Sequence, residues 1–494
     1  MSAGAQRTAV TGPGGELPGR LRAICGDDHV VCHPHALRAY ESDGLQRYRA
    51  MPRAAVLPGS AAEVVAVVRL CHELRVPWVA RGAGSGLSGG ALPVESGVLL
   101  VLSRLRRILE VDLDDRRVVV EPGVTNAAVS HAVAPHLFYP PDPSSQVVCS
   151  IGGNVAENSG GAHCFKYGFT TNYVAGAEVV LTDGTVVELG GSAPEVPGYD
   201  LLGAFVGSEG TLGVATRITL RVVPAPEAVE TVAAFFDSTR AAAQAVSAIV
   251  AAGVVPGAIE LMDAFAIAAA EPLVGAGYPL DAGAALLVEL DGTAEECGER
   301  LSEVRRRCKD HGCTGIRVAA DRHERELLWK VRRGAFPAMG RVSPNYYVQD
   351  GVVPRTRLPD VLDEIAALAA EHGLRVANVF HAGDGNLHPL VCYDGERAGE
   401  AERAERLAAE ILDACLRHGG SITGEHGVGV DKRRHMPKMF SAPDLEAFSR
   451  LRCAFDPDGL ANPGKLMPTP RLCGEVPGPY REHPLERAGL AERF

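Results

Sequence analysis

Arg81-Gly82-Ala83-Gly84-Ser85-Gly86-Leu87-Ser88-Gly89-Gly90 runs directly on from the strand-like Trp78-Val79-Ala80. Alternating glycines let successive backbone N–H groups converge on one point, a nest suited to phosphate oxygens. Ala91-Leu92-Pro93 then lead towards another strand, not into an amphipathic helix. The loop therefore departs from the strand, G-x-G-x-x-G, helix order of a Rossmann unit. A nucleotide held here is expected to rest on loop amides more than on a helix dipole.

Three more stretches have the same character. Pro140-Pro141-Asp142-Pro143-Ser144-Ser145 is a rigid turn carrying hydroxyls. Ile151-Gly152-Gly153-Asn154-Val155-Ala156-Glu157-Asn158-Ser159-Gly160-Gly161 is a second small-residue wall, followed by Lys166-Tyr167-Gly168. Gly207-Ser208-Glu209-Gly210-Thr211-Leu212-Gly213, ahead of Val214, is a third. Any one alone reads as a structural turn. Together with the first loop they imply a long slot where backbone approaches a large flat ligand.

The surrounding pattern alternates helix and strand. Ser60-Ala61-Ala62-Glu63 is a capping box, and Val64, Val67, Val68, Cys71 and Leu74 share the helical face behind it. Residues 97–102 and 118–120 read as short strands, and Thr182-Asp183-Gly184-Thr185 as a hairpin turn between 177–181 and 186–189. Pro224-Ala225-Pro226 is a hinge. Beyond it, alanine-rich helices (241–252, 400–418) alternate with strands such as 285–290 and 347–353.

The chain has 494 residues, with Lys+Arg 49 against Asp+Glu 61 and a net charge of −12. An acidic balance without a basic cluster disfavours nucleic acid. None of the 12 cysteines forms a C-x-x-C pair, which argues against zinc ribbons and iron–sulfur clusters. They read as free, mostly buried thiols in a reducing cytosol. The N-terminus shows no secretory h-region. The longest apolar stretch, 241–255, falls short of the roughly 20 residues that span a bilayer and reads as a buried helix. The expected location is cytoplasmic, or at a membrane through a partner.

A histidine-rich segment lies in the second half. His381-Ala382-Gly383-Asp384-Gly385-Asn386-Leu387-His388 is flanked by strand-like 376–380 and 389–393, with Asp384-Gly385 as the turn. Across such a hairpin paired Cβ atoms lie about 5 Å apart, so both imidazoles can share one ion. Further on, Gly424-Glu425-His426-Gly427 sets an acid and a histidine side by side in a glycine-rich loop. Two neutral imidazoles and one carboxylate suit Zn²⁺ or a similar divalent ion, with positions left open for a substrate. Taken singly, each cluster reads equally well as polar loop residues that bind nothing.

The order R-G-x-G-S-G, P-P-D-P, G-G-N-x-A-x-N-S-G-G, K-Y-G and G-S-E-G-T-L-G resembles the FAD-binding domain of the vanillyl-alcohol oxidase/p-cresol methylhydroxylase (PCMH) superfamily. Within it, residues 54–468 resemble the glycolate oxidase FAD subunit and D-lactate and D-2-hydroxyglutarate dehydrogenases. The resemblance implies an α+β chain: a two-subdomain PCMH-type FAD-binding domain plus an α/β substrate (cap) domain with an antiparallel sheet. The expected units are a lead-in (1–50), the FAD-binding domain (51–226), the cap (227–450), a segment returning to the FAD domain (451–468) and a loose tail (469–494). FAD would contact Arg81, Gly82, Ala83, Gly84, Ser85, Gly86 and Ser88, with its pyrophosphate between Gly82 and Ser88. Further contacts would come from Pro141, Asp142, Ser145, Gly152, Gly153, Asn154, Asn158, Gly160, Gly161, Gly207, Glu209, Gly210, Gly213, Val214 and Asn462. Some members tether FAD through a histidine in the first glycine loop. Residues 81–90 contain none, so non-covalent FAD is expected; His163 is the other histidine close to these motifs.

H-x-G-D-G-N-x-H and G-E-H-G resemble the metal and catalytic motifs of 2-hydroxy-acid dehydrogenases. By that match His381, His388 and Glu425 hold a divalent metal, His426 takes the hydroxyl proton, and Asp384 and Asn386 shape the turn. Arg332 occupies the position that grips the substrate carboxylate. Val348 stands where the hydroxyglutarate enzymes carry an added lysine, which favours glycolate or lactate. The implied reaction passes hydride from the 2-carbon to flavin N5. Electrons then go to a separate acceptor, an iron–sulfur subunit, a cytochrome or a quinone. Rival readings are a D-2-hydroxyglutarate dehydrogenase, an alkyl-dihydroxyacetonephosphate synthase-like transferase, and an FAD-binding subunit without activity of its own.

Overall fold

The computed structural model describes residues 16–45, 47–193 and 197–468. The tail expected at 469–494 lies outside them. The first sheet runs Val30–Val31, Ala54–Val56, Val98–Val101, Trp78–Arg81, and its last two neighbour pairs are parallel. The crossover is the Ala61–Glu73 helix, whose N-cap Ser60 accepts from Glu63 N. The reciprocal half of the expected capping box is shifted by one residue: the Glu63 carboxylate accepts from Gly59 N at 2.8 Å. Val64, Val67, Val68 and Cys71 face the sheet as their spacing requires. The lead-in belongs to the same core, through Leu17, Leu21 and Cys25 of the Leu17–Cys25 helix. A distant segment closes the edge, since Trp78 N donates to Leu460 O and Asn462 N to Trp78 O.

The second sheet is antiparallel: Ile108–Asp112, Arg117–Val120, Val214–Arg221, Val174–Val180, Val186–Gly190. The hairpin turn at Asp183-Gly184 forms as expected, with Gly184 at φ +81.

The third sheet carries the second half of the chain. Its main path runs Cys313–Val318, Ala228–Phe236, Ala284–Gly292, Ala258–Asp263, Arg375–His381, Asn386–Leu387, Gly351–Val352, and Pro389–Tyr393 joins Arg375–His381 to Asn345–Val348. Both faces of its central strands are covered, so apolar residues occupy both faces there, as in Val232-Ala233-Ala234-Phe235-Phe236 and Ala284-Ala285-Leu286-Leu287-Val288. Val232, Ala234 and Phe236 point to the helices Thr239–Ala251, Ala294–Asp310, Leu358–His372 and Glu400–Arg417. Ala233 and Phe235 point to Ala264–Val274 and Arg322–Val342.

Two expectations are corrected. The run 347–353 is not one strand: it breaks between Asn345–Val348 and Gly351–Val352. The intervening Asp350 is a fully buried charge, and the chain bends to bring it to donors on another loop. Among the cysteines, Cys453 is disulfide-bonded, whereas the ten from Cys25 to Cys415 are free. No helix among the described residues is long and apolar enough to cross a membrane.

Candidate active site

A cavity of about 550 Å³ lies between the glycine-rich loops and the third sheet. Arg81, Gly82, Ala83, Gly84, Ser85, Gly86, Ser145, Gly152, Gly153, Asn154, Gly160, Glu209, Gly210, Gly213 and Val214 line one side, and Arg332, His388, Glu425 and His426 another. Among the described residues, the backbone N–H groups of Ala83 to Ser88 meet no protein acceptor, so the first loop keeps its nest of donors. The second small-residue wall is partly a helix, Ile151–Glu157, and its first amides are already satisfied. Ile151 N donates to Val124 O, Gly152 N to Pro122 O and Gly153 N to Ser150 Oγ. This wall offers close approach rather than free donors.

Seven residues expected at the cofactor do not line the cavity: Ser88, Pro141, Asp142, Asn158, Gly161, Gly207 and Asn462. Several of them make contacts within the protein. Asn462 Nδ2 donates to Gly90 O and Glu209 O, stapling two loops together. Asn158 Oδ1 accepts from Thr171 N. Ser88 O accepts from Val430 and Asp431 N. Asp142 turns away to His163, its Oδ2 lying 2.7 Å from Nδ1. The other ring nitrogen of His163 meets Glu289 Oε1 at 2.9 Å, and Glu289 Oε2 accepts from Trp329 Nε1. Burial alone would lower the His163 pKa, but Asp142 and Glu289 overcome this and raise it well above the usual value. The next two motif residues also face the third sheet: Lys166 Nζ reaches Asp291 Oδ1 at 2.7 Å, and Tyr167 donates to Asp291. The K-Y-G motif is thus a strap across to the third sheet.

The histidine hairpin forms. His381 ends the Arg375–His381 strand and pairs with Asn386. Gly385 has φ +82, and a Cβ there would collide with the Val353 carbonyl oxygen, so the turn requires glycine. Asp384 Oδ1 caps the turn by accepting from Asn386 N. The rings of His381 and His388 lie 5.0 Å apart. Each is oriented from behind: Nδ1 of His381 lies 2.8 Å from Glu260 Oε1, and Nδ1 of His388 lies 3.4 Å from Gln349 O. Both Nε2 atoms then turn to Glu425 Oε1, at 3.3 and 3.1 Å. Oε2 of Glu425 is buried without a hydrogen-bond partner among the described residues.

His426 stacks on His388, ring centroids 5.0 Å apart, with Nε2 3.6 Å from Glu425 Oε1. Burial lowers its pKa to about 4, against the opposing charge of Asp350, and leaves the ring neutral near pH 7. Burial would raise the pKa of Glu425, but His381 and His388 hold it well below the usual range.

Arg332 lines the cavity and is anchored from behind. Its Nε and Nη2 are both committed to Glu260 Oε2, at 2.7 and 2.6 Å. Glu260 went unnoticed in the sequence, as did Asp350. A lone acid inside an apolar strand, as in Ala258-Ile259-Glu260-Leu261-Met262, is the signal that marks such residues. Glu260 lies directly across the ladder from His381, so one strand pairing orients this histidine and the arginine together.

Two family profiles match: an FAD binding domain over residues 52–190, and the C-terminal domain of FAD linked oxidases over 225–466. The glycolate oxidase subunit GlcD of Escherichia coli (strain K12) is 50% identical over 468 residues, covering 94% of this chain and 92% of the relative. The chain belongs to the FAD-linked oxidases. This FAD-linked oxidase is also 39% identical to GlcD of Bacillus subtilis, covering 87% of this chain and 92% of that one. The D-lactate dehydrogenase of Anaerostipes hadrus is 33% identical, with 85% and 90% covered. Among solved structures, p-cresol methylhydroxylase with substrate bound superposes with a TM-score of 0.78 at 19% identity, covering 94% and 98% of the two chains. An alkyldihydroxyacetonephosphate synthase gives 0.71 at 19%, covering 91% and 84%. At that identity both share the fold, as the α+β expectation required.

Proposed function

We propose that this FAD-linked oxidase converts a small 2-hydroxy acid, glycolate or D-lactate, to its 2-keto acid. One observation carries the reading: two imidazoles and a carboxylate converge beside a neutral third imidazole at one end of the FAD cavity. The names of the glycolate oxidase and D-lactate dehydrogenase relatives support the same substrate class.

The donor set fits a divalent metal ion. Oε2 of Glu425 is buried without a hydrogen-bond partner among the described residues, and Nε2 of both His381 and His388 faces the other oxygen of that carboxylate. Burial would lower the pKa of His381, yet Glu260 and Glu425 raise it well above the ordinary imidazole value. That pocket stabilises a positive charge, which a metal ion supplies in place of a proton. His381, His388 and Glu425 would hold the ion, and a metal so held supplies Lewis acidity to a hydroxyl oxygen.

The protein's own groups do the rest. Nε2 of His426 receives the hydroxyl proton, and its depressed pKa keeps it free to do so near neutrality. Arg332 retains Nη1, which makes no hydrogen bond among the described residues, for the substrate carboxylate. Non-covalent FAD, when bound, accepts the hydride equivalent. Val348 packs among apolar residues and brings no second cation, which disfavours 2-hydroxyglutarate. The E. coli relative is named as a subunit, so a separate electron acceptor is part of this reading. Anaerobic addition of D- and L-2-hydroxy acids to the FAD-loaded protein tests it. Glycolate or D-lactate should bleach the flavin absorbance, and bleaching by neither would refute it.

A further inference from the structure

Asp350 is fully buried, and donors crowd it. Its Oδ2 accepts from Thr423 Oγ1 at 2.5 Å, Gly424 N at 3.1 Å, His426 N at 2.9 Å and Lys432 Nζ at 3.1 Å. Its Oδ1 accepts from Glu425 N at 3.2 Å. Three successive amides of the loop that bears the third metal ligand and the base therefore converge on one carboxylate. Lys432, itself buried, balances the charge.

The geometry points to Asp350 as the positioning residue that orients Glu425 and His426 together. This rests on the roles proposed above for those two residues. With both amides pinned, the backbone of Glu425 and His426 is held, and with it the directions in which the two side chains leave. Glu425 then meets the histidine pair while His426 stacks on His388. Asp350, His388 and His426 also lie close enough to form a metal-binding group of their own. The donors already gathered on Asp350 argue against that use. Its oxygens are occupied from the loop side, and Nδ1 of both histidines stands 3.9 Å away. Asp350 is fully buried, does not line the cavity and shapes the site from behind.

The test compares Asp350→Asn, Lys432→Met and the double variant as FAD-loaded proteins. Asn keeps the side-chain shape but puts an amino group among the loop amides. Met removes the cation that Asn would strand. The double variant should retain flavin absorbance and melt close to wild type, while flavin reduction at saturating glycolate or D-lactate slows by about 10- to 100-fold. A role limited to balancing Lys432 predicts a wild-type rate in the double variant, and that result would overturn the inference. Should the double variant fail to fold, Asp350→Glu decides. It keeps the charge but displaces it, so a slowed rate with flavin retained supports positioning and a wild-type rate overturns it. His426→Ala runs alongside. An unimpaired His426→Ala would sink the base assignment and this inference with it. A dead His426→Ala beside a wild-type double variant would sink this inference alone.

Discussion

Arg332 Nε donates to Oε2 of Glu260 over 2.7 Å, with both side chains buried. The other oxygen of the same carboxylate orients His381. The proposed substrate cation and the proposed metal ligand are therefore linked through one acid. Glu260→Gln should weaken both, lowering metal affinity by about 10- to 100-fold and raising KM. Metal titration of the stripped protein and steady-state kinetics check this. A change in KM without a change in metal affinity would break the proposed link.

His426→Ala should keep its yellow flavin and lose substrate-driven reduction by about 10²- to 10⁴-fold, the usual worth of a positioned base. In the wild type, burial holds the His426 pKa at about 4, so the base is deprotonated throughout the neutral range. The reduction rate should therefore stay level from mildly alkaline to mildly acidic pH and fall only as pH nears that value. Stopped-flow absorbance reads both outcomes, and a fall centred near neutrality would contradict the buried, neutral base.

Both ring nitrogens of His163 are occupied by carboxylates, leaving neither for attachment to a flavin. Acid precipitation should release all FAD into the supernatant. Flavin mass remaining on the polypeptide would refute non-covalent binding.

The same histidine predicts a pH dependence of stability. Its folded-state pKa is raised well above the unfolded value of about 6.5, because Asp142 and Glu289 outweigh burial. The stabilisation is therefore complete below the unfolded pKa and is lost as pH rises through the folded one. Wild type should melt well above His163→Gln in mildly acidic buffer, and the gap should narrow in alkaline buffer. A gap that does not change with pH would mean that the imidazolium is not what joins Asp142 to Glu289.

Gly385→Ala should destabilise the protein by more than about 1 kcal/mol, since it forces a side chain into a left-handed turn against the Val353 carbonyl. It should also reduce bound divalent metal, because that turn sets the spacing of His381 and His388. Thermal melts and metal analysis check the two effects separately.

How much was legible beforehand follows from range. Short-range patterns read well: the helix behind Ser60, the Asp183-Gly184 hairpin and the histidine hairpin all form, because capping, φ > 0 turns and strand alternation depend on neighbours in the chain. The first glycine loop lines the cavity with its amides free. Motif membership does not record which part of the protein a side chain reaches. Asp142, Lys166 and Tyr167 belong to the same motif series as Gly82, yet they reach His163 and Asp291. Asn462 closes loops together instead of lining the slot.

Residue order alone determined which side chains have the chemistry: two histidines across a glycine turn, an acid next to a third histidine, and a run of glycines after a strand. Whether those groups meet depended on pairings between segments far apart in the chain. Glu260 faces His381 because two strands lie in one register, and Asp350 gathers the Glu425 loop because its own strand breaks beside it. A buried carboxylate must find its donors wherever the fold delivers them, and no local pattern of residues records that address.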